Sequence, residues 1–249
     1  MNKNLKILLL SIFAFVLFSA YQQDKTITIY LVGDSTMADK DSTKYPENGW
    51  GTPFKWFFSK DIKIENHAKN GKSTKSFLNE GRWNKIKETL KEGDYVFIQF
   101  GHNDEIPTKK SATTPEEFEA NLTLYISETR ALKATPILLT SVSRRSFEND
   151  LLIDTHKEYA NITREVAKAT NTSLIDVTTS SMQLLNQLGP ERSKDLFLHL
   201  EPLQNPNYPK GVVDNTHFNE FGARRIAELV VNELKMLDIP LKEFIGYKQ

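Results

Sequence analysis

The chain has 249 residues, 39% of them hydrophobic and 26% charged, with 32 basic and 32 acidic side chains. This is the composition of a folded globular protein rather than a disordered one, and a net charge of zero lacks the basic excess of a nucleic-acid binder. There is no cysteine, which excludes disulfides, thiolate metal sites, a cysteine nucleophile and a lipid-modified cysteine anchor.

The amino terminus is set apart from the rest. Lys3 and Lys6 precede an apolar run over 7–18, which is followed by Ser19 and Ala20. A positive flank, a short apolar core and small residues predict a secretory signal peptide over 1–20. Phe18 fits the small-x-small cleavage pattern poorly, so an uncleaved anchor is the alternative. The run falls short of the ~20 residues that a membrane span takes. The expectation is export to the periplasm or the extracellular space, with residues 21–249 as one domain and no membrane contact after cleavage.

Beyond that segment, β-rich runs occupy 26–32, 62–66, 95–100, 136–141 and 173–177. The runs at 95–100 and 136–141 are almost continuously apolar, as in strands buried on both faces. Helical periodicity marks 50–58, 83–90, 115–132, 151–169 and 220–237. The third of these opens with Thr114 as a cap and Pro115 in the first turn, the usual order at a helix start. Such alternation predicts an α/β fold, a parallel sheet with helices on both faces. Trp50, Trp56 and Trp83 are expected in the core. Residues 189–213 hold Pro190, Pro202, Pro206 and Pro209 with little periodicity, and so read as a long loop lining a site.

Gly33-Asp34-Ser35-Thr36 follows the first β-rich run. A hydroxyl there stands at the carboxyl end of the sheet, where open α/β folds bind ligands. One reading is a nucleophilic serine; the other is a turn with a helix cap, which favours the same residues. A serine nucleophile needs a base. Of the five histidines, His217 lies three residues after Asp214, a spacing that can bring a carboxylate to one ring nitrogen and leave the other free. The alternative is a helix-entry turn with a capping Asp and a surface His; Asn219, just after His217, could cap the last helix. Acyl transfer also needs oxyanion donors. Gly71 could offer a main-chain N–H after the second strand, and Asn103 a side-chain amide after the third. His102 reads as structural rather than as a second base. No Gly-x-Ser-x-Gly elbow, His-Glu-x-x-His or complete P-loop occurs, and the scattered histidines predict neither metal nor cofactor.

Gly33-Asp34-Ser35, Gly71, Gly101-His102-Asn103-Asp104 and Asp214-x-x-His217, in that order, resemble the four blocks of the SGNH (GDSL-type) hydrolases. Gly33-Asp34-Ser35-Thr36-Met37-Ala38, Gly49-Trp50-Gly51, Lys75-Ser76-Phe77, Glu80-Gly81-Arg82-Trp83, Gln99-Phe100-Gly101-His102-Asn103-Asp104 and Ser143-Arg144-Arg145 are similar to its rhamnogalacturonan acetylesterase branch. The resemblance implies a three-layer, flavodoxin-like α/β/α fold of about five parallel strands. It also implies Ser35 as nucleophile, His217 as base, Asp214 as its orienting carboxylate, and the Ser35 N–H, the Gly71 N–H and Asn103 as oxyanion donors. The expected function is removal of acetyl groups from a plant polysaccharide, with pectin foremost. A xylan acetylesterase, a lipolytic or thioester hydrolase and an inactive carbohydrate-binding module are the alternatives. Arg144 and Arg145 follow the fourth strand and are candidates to hold an acidic polymer, since a guanidinium matches a carboxylate. The alternative for either arginine is a surface ion pair or a loop brace.

Overall fold

A computed structural model describes residues 26–246, so the predicted signal peptide lies outside the described residues. In chain order the elements are β1 (Ile27–Gly33), β2 (Glu47–Asn48), α1 (Gly51–Phe54), β3 (Ile62–Asn66), α2 (Thr74–Asn79), α3 (Arg82–Lys87) and β4 (Tyr95–Gln99). Then come α4 (Pro115–Ala131), β5 (Thr135–Leu139), β6 (Phe147–Glu148), β7 (Leu151–Leu152), α5 (Lys157–Ala169) and β8 (Ser173–Ile175). The chain ends with α6 (Val177–Arg192), β9 (Phe197–Leu200), β10 (Val212–Asn219) and α7 (Glu220–Met236).

Five strands form one parallel sheet in the order β3-β1-β4-β5-β8. Side chains alternate across it, because successive residues of a strand point to opposite faces. Ile29, Leu31, Phe97, Ile137 and Leu139 pack on one side with Trp50, Phe54 and the α7 residues Ile226, Val230 and Leu234. Tyr30, Val32, Val96, Ile98 and Leu138 pack on the other with Phe77, Trp83, Phe118, Leu122 and Tyr125. The result is the expected three-layer α/β/α arrangement.

The sheet order reverses direction at β1, whose neighbours are β3 and β4. A crevice opens outside the strand ends at such a switch point. The register makes the ends level, with Gly33 opposite Gln99. The chain after β3 keeps running beside β1, with the His67 N–H donating to the Leu31 carbonyl (2.9 Å) and the Lys69 N–H to that of Gly33 (3.0 Å). Three loops therefore leave the sheet side by side, carrying Ser35, Gly71 and Asn103.

Several expectations need correction. The helix expected over 50–58 is the short α1 followed by a 3-10 turn, Lys55–Phe57. Trp56 is 56% exposed there, not in the core, whereas Trp50 and Trp83 are buried. The helix expected from 151 starts at Lys157, because Leu151 and Leu152 pair with Phe147 and Glu148 in a hairpin. Asn149 and Asp150 both have positive φ at its turn, as a type I′ connection requires. The helices α2 and α6 were not expected. The segment 189–213 is not one loop: it holds the end of α6, a 3-10 turn at Ser193–Leu196, β9 and the start of β10.

The last region forms a second, small antiparallel sheet, β2-β10-β9. The β10–β9 register jumps between Asp214 and Phe218, so Asn215, Thr216 and His217 bulge out of the ladder. Bulges re-aim side chains next to functional sites. The bulge is fixed from behind by Asn219, which caps α7 by accepting the Gly222 N–H (2.9 Å) and donates to the carbonyls of Asp195 (2.9 Å) and Phe197 (3.0 Å).

Gly222 lets α7 approach the Ser193–Leu196 turn. A Cβ there would stand 1.8 Å from the Leu196 carbonyl oxygen, and main chain yields far less readily than a side chain. Gly222→Ala is expected to lower unfolding free energy by about 1–3 kcal/mol, the cost of overpacking. Urea melts give the measurement, and an unchanged midpoint refutes this account of how α7 is seated.

Candidate active site

The turn after β1 serves as both a turn and a mount. The Asp34 carboxylate Oδ1 accepts the Thr36 N–H (2.9 Å) and the Thr36 hydroxyl (2.8 Å), a side-chain-closed turn that Asp favours. Burial pushes the Asp34 carboxyl above the usual aspartate value. The Asp34 carbonyl accepts the Ala38 N–H (3.1 Å) and that of Met37 (3.3 Å). Across a trans peptide the N–H points opposite to the C=O, so the Ser35 N–H is turned away from these bonds. Asp34 and Thr36 thus shape the turn and leave the Ser35 hydroxyl free for another partner.

That partner comes from 182 residues away. The Ser35 Oγ lies 2.8 Å from His217 Nε2, and His217 Nδ1 lies 2.7 Å from Asp214 Oδ2. A carboxylate accepts only, so it holds the proton on Nδ1 and leaves Nε2 to accept from the serine. The other carboxylate oxygen accepts the N–H groups of Thr216 (2.7 Å) and His217 (2.9 Å). Half-burial raises the Asp214 pKa, but these bonds outweigh it and hold the group at about 2. Asp214 is therefore ionised at any ordinary pH and stabilises a proton arriving on the imidazole. A hydroxyl so placed can pass its proton to the ring as its oxygen attacks an electrophile.

The two candidate donor loops flank Ser35. Gly71 has φ 74° in a turn closed by the Lys72 N–H on the Lys69 carbonyl (3.3 Å). This left-handed conformation favours glycine. Asn103 is buried, and its amide orientation follows from its partners. Nδ2 donates to the Lys72 carbonyl (3.0 Å), while Oδ1 accepts from the Lys109 ammonium. A carbonyl cannot donate and an ammonium cannot accept, so the amide N–H side faces the Gly71–Lys72 loop, with a second N–H still to give.

The remaining residues of these blocks hold the frame. Asp104 accepts the Thr74 N–H (3.0 Å) and the Thr113 hydroxyl (3.2 Å), and burial pushes its carboxyl up to about 7 against those bonds. His102 is buried edge-on against His156, ring centroids 4.2 Å apart. Burial holds its pKa well below the usual histidine value, so it stays neutral. Gln99 links the strands, accepting the Trp50 indole N–H (2.9 Å) and donating to the Thr140 carbonyl (3.1 Å).

The adjacent arginines part company. Arg145 donates to Ser193 Oγ (3.1 Å), to Asn215 Oδ1 (3.0 Å) and to the Pro190 carbonyl, and its own N–H meets the Asn215 carbonyl (2.9 Å). Its guanidinium braces the bulge that carries Asp214 and His217. Arg144 pairs with Glu105 (3.0 Å), reaches the His102 carbonyl (3.2 Å) and lines a depression of about 350 Å³ with Pro107, Thr155 and Tyr159. Sequence reasoning missed His199, whose Nε2 lies 2.9 Å from Asn215 Oδ1, and Lys40, buried beside Ser35. A groove of about 970 Å³, lined by the exposed Trp56 and Phe221 among others, includes none of the Ser35, Asp214 and His217 side chains.

Residues 31–225 match the GDSL-like lipase/acylhydrolase family. The chain is 42% identical to the rhamnogalacturonan acetylesterase RhgT of Bacillus subtilis over 89% of this chain and 95% of that one. It is 33% identical to the probable rhamnogalacturonan acetylesterase YesY of the same organism, over 87% and 96%. Among solved structures it resembles the B. subtilis protein YxiM with a TM-score of 0.75 at 28% identity, covering 87% of this chain and 58% of that one. The acetylxylan esterase Axe2 of Geobacillus stearothermophilus shares the fold, with a TM-score of 0.61 at 19% identity over 84% of this chain and 94% of that one. Taken with the ordered blocks around Ser35, these matches show that the chain belongs to the GDSL-like lipase/acylhydrolase family, on its rhamnogalacturonan acetylesterase-like branch, and is a carboxylic ester hydrolase.

Proposed function

We propose that this protein is an exported serine acetylesterase that removes O-acetyl groups from plant cell-wall polysaccharide, with rhamnogalacturonan-type pectin as its substrate. The observation that carries the reading is the continuous line Ser35 Oγ–His217–Asp214, with contacts of 2.8 and 2.7 Å, at the switch point of the sheet. Ser35 attacks the acetyl carbonyl carbon and its proton moves to His217 Nε2. The Ser35 N–H, the Gly71 N–H and the Asn103 amide hold the oxyanion of the tetrahedral intermediate. Its collapse breaks the bond to the sugar oxygen, which takes the proton from His217 and leaves as the sugar hydroxyl. Water then repeats the sequence on the acetyl-enzyme, releasing acetate and restoring Ser35. No metal or cofactor enters this scheme.

The pectin assignment rests on the names of the relatives RhgT and YesY. A xylan reading draws on a shorter match, 26% identity over 135 residues, to an acetylxylan esterase of G. stearothermophilus. Export fits a polymer too large to enter a cell, and the signal-peptide pattern at 1–20 supports it. With Arg145 spent on the bulge, Arg144 is the arginine we assign to an acidic backbone. Its test compares acetate release by wild type and Arg144→Ala on acetylated rhamnogalacturonan, acetylated xylan and a small neutral ester. The expected result is a rise in KM on the acidic polymer only, and a wild-type preference for xylan removes the pectin assignment.

Ser35→Ala and His217→Ala should each abolish turnover without unfolding the protein, and the double variant should lose little more, because the pair acts as a unit. Independent, multiplying losses contradict the shared mechanism. Asn103→Ala should lower kcat by roughly 10²–10³ at nearly constant KM, the usual cost of one oxyanion donor; a rise in KM alone makes Asn103 a ground-state contact instead.

Asp214→Asn should lower kcat by roughly 10⁴, since an amide no longer enforces the tautomer. It should also cost stability in a pH-dependent way. The folded pKa of about 2 lies below the ordinary value of 3.8, so the carboxylate stabilises the fold above pH ~4 and loses that contribution as the pH falls towards ~2. The deficit of the variant should be on the order of 2 kcal/mol at pH 7. Melts across pH 2–7 check this, and a gap that does not narrow in acid is the contrary result.

A further inference from the structure

Lys40 lies five residues after Ser35, on the exit from the serine turn, and its side chain is only 3% exposed. A lysine so buried needs partners for all three ammonium protons. It has three: the Ser35 carbonyl (2.7 Å), Asn70 Oδ1 (2.8 Å) and Glu47 Oε1 (2.8 Å). Each acceptor belongs to a different segment: the loop after β1, the loop after β3, and β2. Burial pulls the Lys40 pKa down from the ordinary lysine value while the Glu47 carboxylate pulls it back up.

The tip of the loop after β3 is located by hydrogen bonds rather than by packing. Lys69, Asn70 and Gly71 are exposed, and nothing lies within 4 Å of where a Gly71 Cβ would be. Packing therefore does not fix the Gly71 N–H. The loop is tied down by the Lys69 N–H on the Gly33 carbonyl and the Lys72 N–H on the Lys69 carbonyl, by Asn103 on the Lys72 carbonyl beyond Gly71, and by Asn70 on Lys40 before it. Asn70 directly precedes Gly71, and the Lys40 bond to the Ser35 carbonyl fixes the residue whose own N–H is the other main-chain donor.

The geometry points to Lys40 as a positioning residue that sets the spacing of the two main-chain oxyanion donors, at Ser35 and Gly71. It touches neither substrate nor reacting atoms, and it acts through the two loops it joins. This rests on the esterase reading above. Because a donor misplaced by a fraction of an ångström binds the oxyanion poorly but leaves ground-state binding intact, the loss falls on kcat.

The test uses the whole protein and 4-nitrophenyl acetate. Lys40→Met should lower kcat roughly 10–50-fold with KM within about twofold of wild type. Inhibition by a small boronic acid, which forms a tetrahedral anion on Ser35, should weaken by a similar factor. Asn70→Ala removes an exposed side chain and one acceptor only, and should lower kcat roughly 3–10-fold, again without a KM effect. A folded Lys40→Met with wild-type kcat, or a loss confined to KM, overturns the inference. If Lys40→Met does not fold, Asn70→Ala decides, and wild-type kcat in that variant overturns it. Should Ser35→Ala and Asn103→Ala behave as expected while Lys40→Met and Asn70→Ala do not, this inference alone falls. Activity that survives Ser35→Ala removes the esterase mechanism and this inference with it.

Discussion

The level ending of β1 against its two neighbours is the constraint on which the rest depends. A strand at the switch point must bond on both edges, to β3 and to β4. Once Gly33 is opposite Gln99 and the chain after β3 is held to Leu31 and Gly33, three loops must leave the sheet at one height. This brings Ser35, Gly71 and Asn103 to one end of the sheet, where the bonds of Lys40 and Asn103 join their loops. The buried faces enforce this register, because a one-residue slip would turn Ile29 and Leu31 out of one core and Tyr30 and Val32 out of the other.

The imidazole and carboxylate enter by a separate route. His217 sits on a bulge in the small sheet and Asp214 at its edge, and this sheet has no strand in common with the large one. That bulge is held by polar contacts rather than by packing. Asn219 pins its far end to the Asp195 and Phe197 carbonyls, and Arg145 and His199 converge on Asn215 within it. Hydrogen bonds fix direction more tightly than apolar contacts do. A line of three side chains that must each stay within about 3 Å of the next benefits from that.

What the sequence made legible follows from what each signal depends on. The four blocks were readable because their chemistry demands particular residue types: a hydroxyl, a glycine at positive φ, an amide, and a carboxylate three residues from an imidazole. The parallel sheet was readable because β4 and β5 are almost continuously apolar. Helix α6 was not, because the buried positions Thr178 and Ser181 are polar and bond to main-chain carbonyls, which breaks the apolar stripe that Val177, Leu184, Leu185 and Leu188 would otherwise form. The β9–β10 ladder was hidden by prolines that sit in the turns over 201–211 rather than in the strands. The hairpin at Asn149-Asp150 carries a turn signal, but Leu151 and Leu152 continue the apolar spacing of the helix that follows and so mask it. Lys40 left no trace at all, since lysine is ordinarily a surface residue and its burial here is a tertiary fact.

Ser143-Arg144-Arg145 shows how far sequence texture goes towards substrate. Two adjacent arginines suggest one basic patch, yet their guanidinium groups find separate partners. Arg145 reaches Pro190, Ser193 and Asn215, while Arg144 reaches His102 and Glu105. Arg145 gives three of its five N–H donors to neutral acceptors around the bulge, which fixes the direction of its guanidinium. Arg144 shares its charge with Glu105, whose other oxygen meets His156 Nδ1 (2.8 Å). A polymer carboxylate there would have to compete with, or add to, a carboxylate already in place. Recognition of an acidic backbone at this depression is thus a matter of geometry more than of field, since neither the net charge of the chain nor the paired guanidinium offers a long-range attraction.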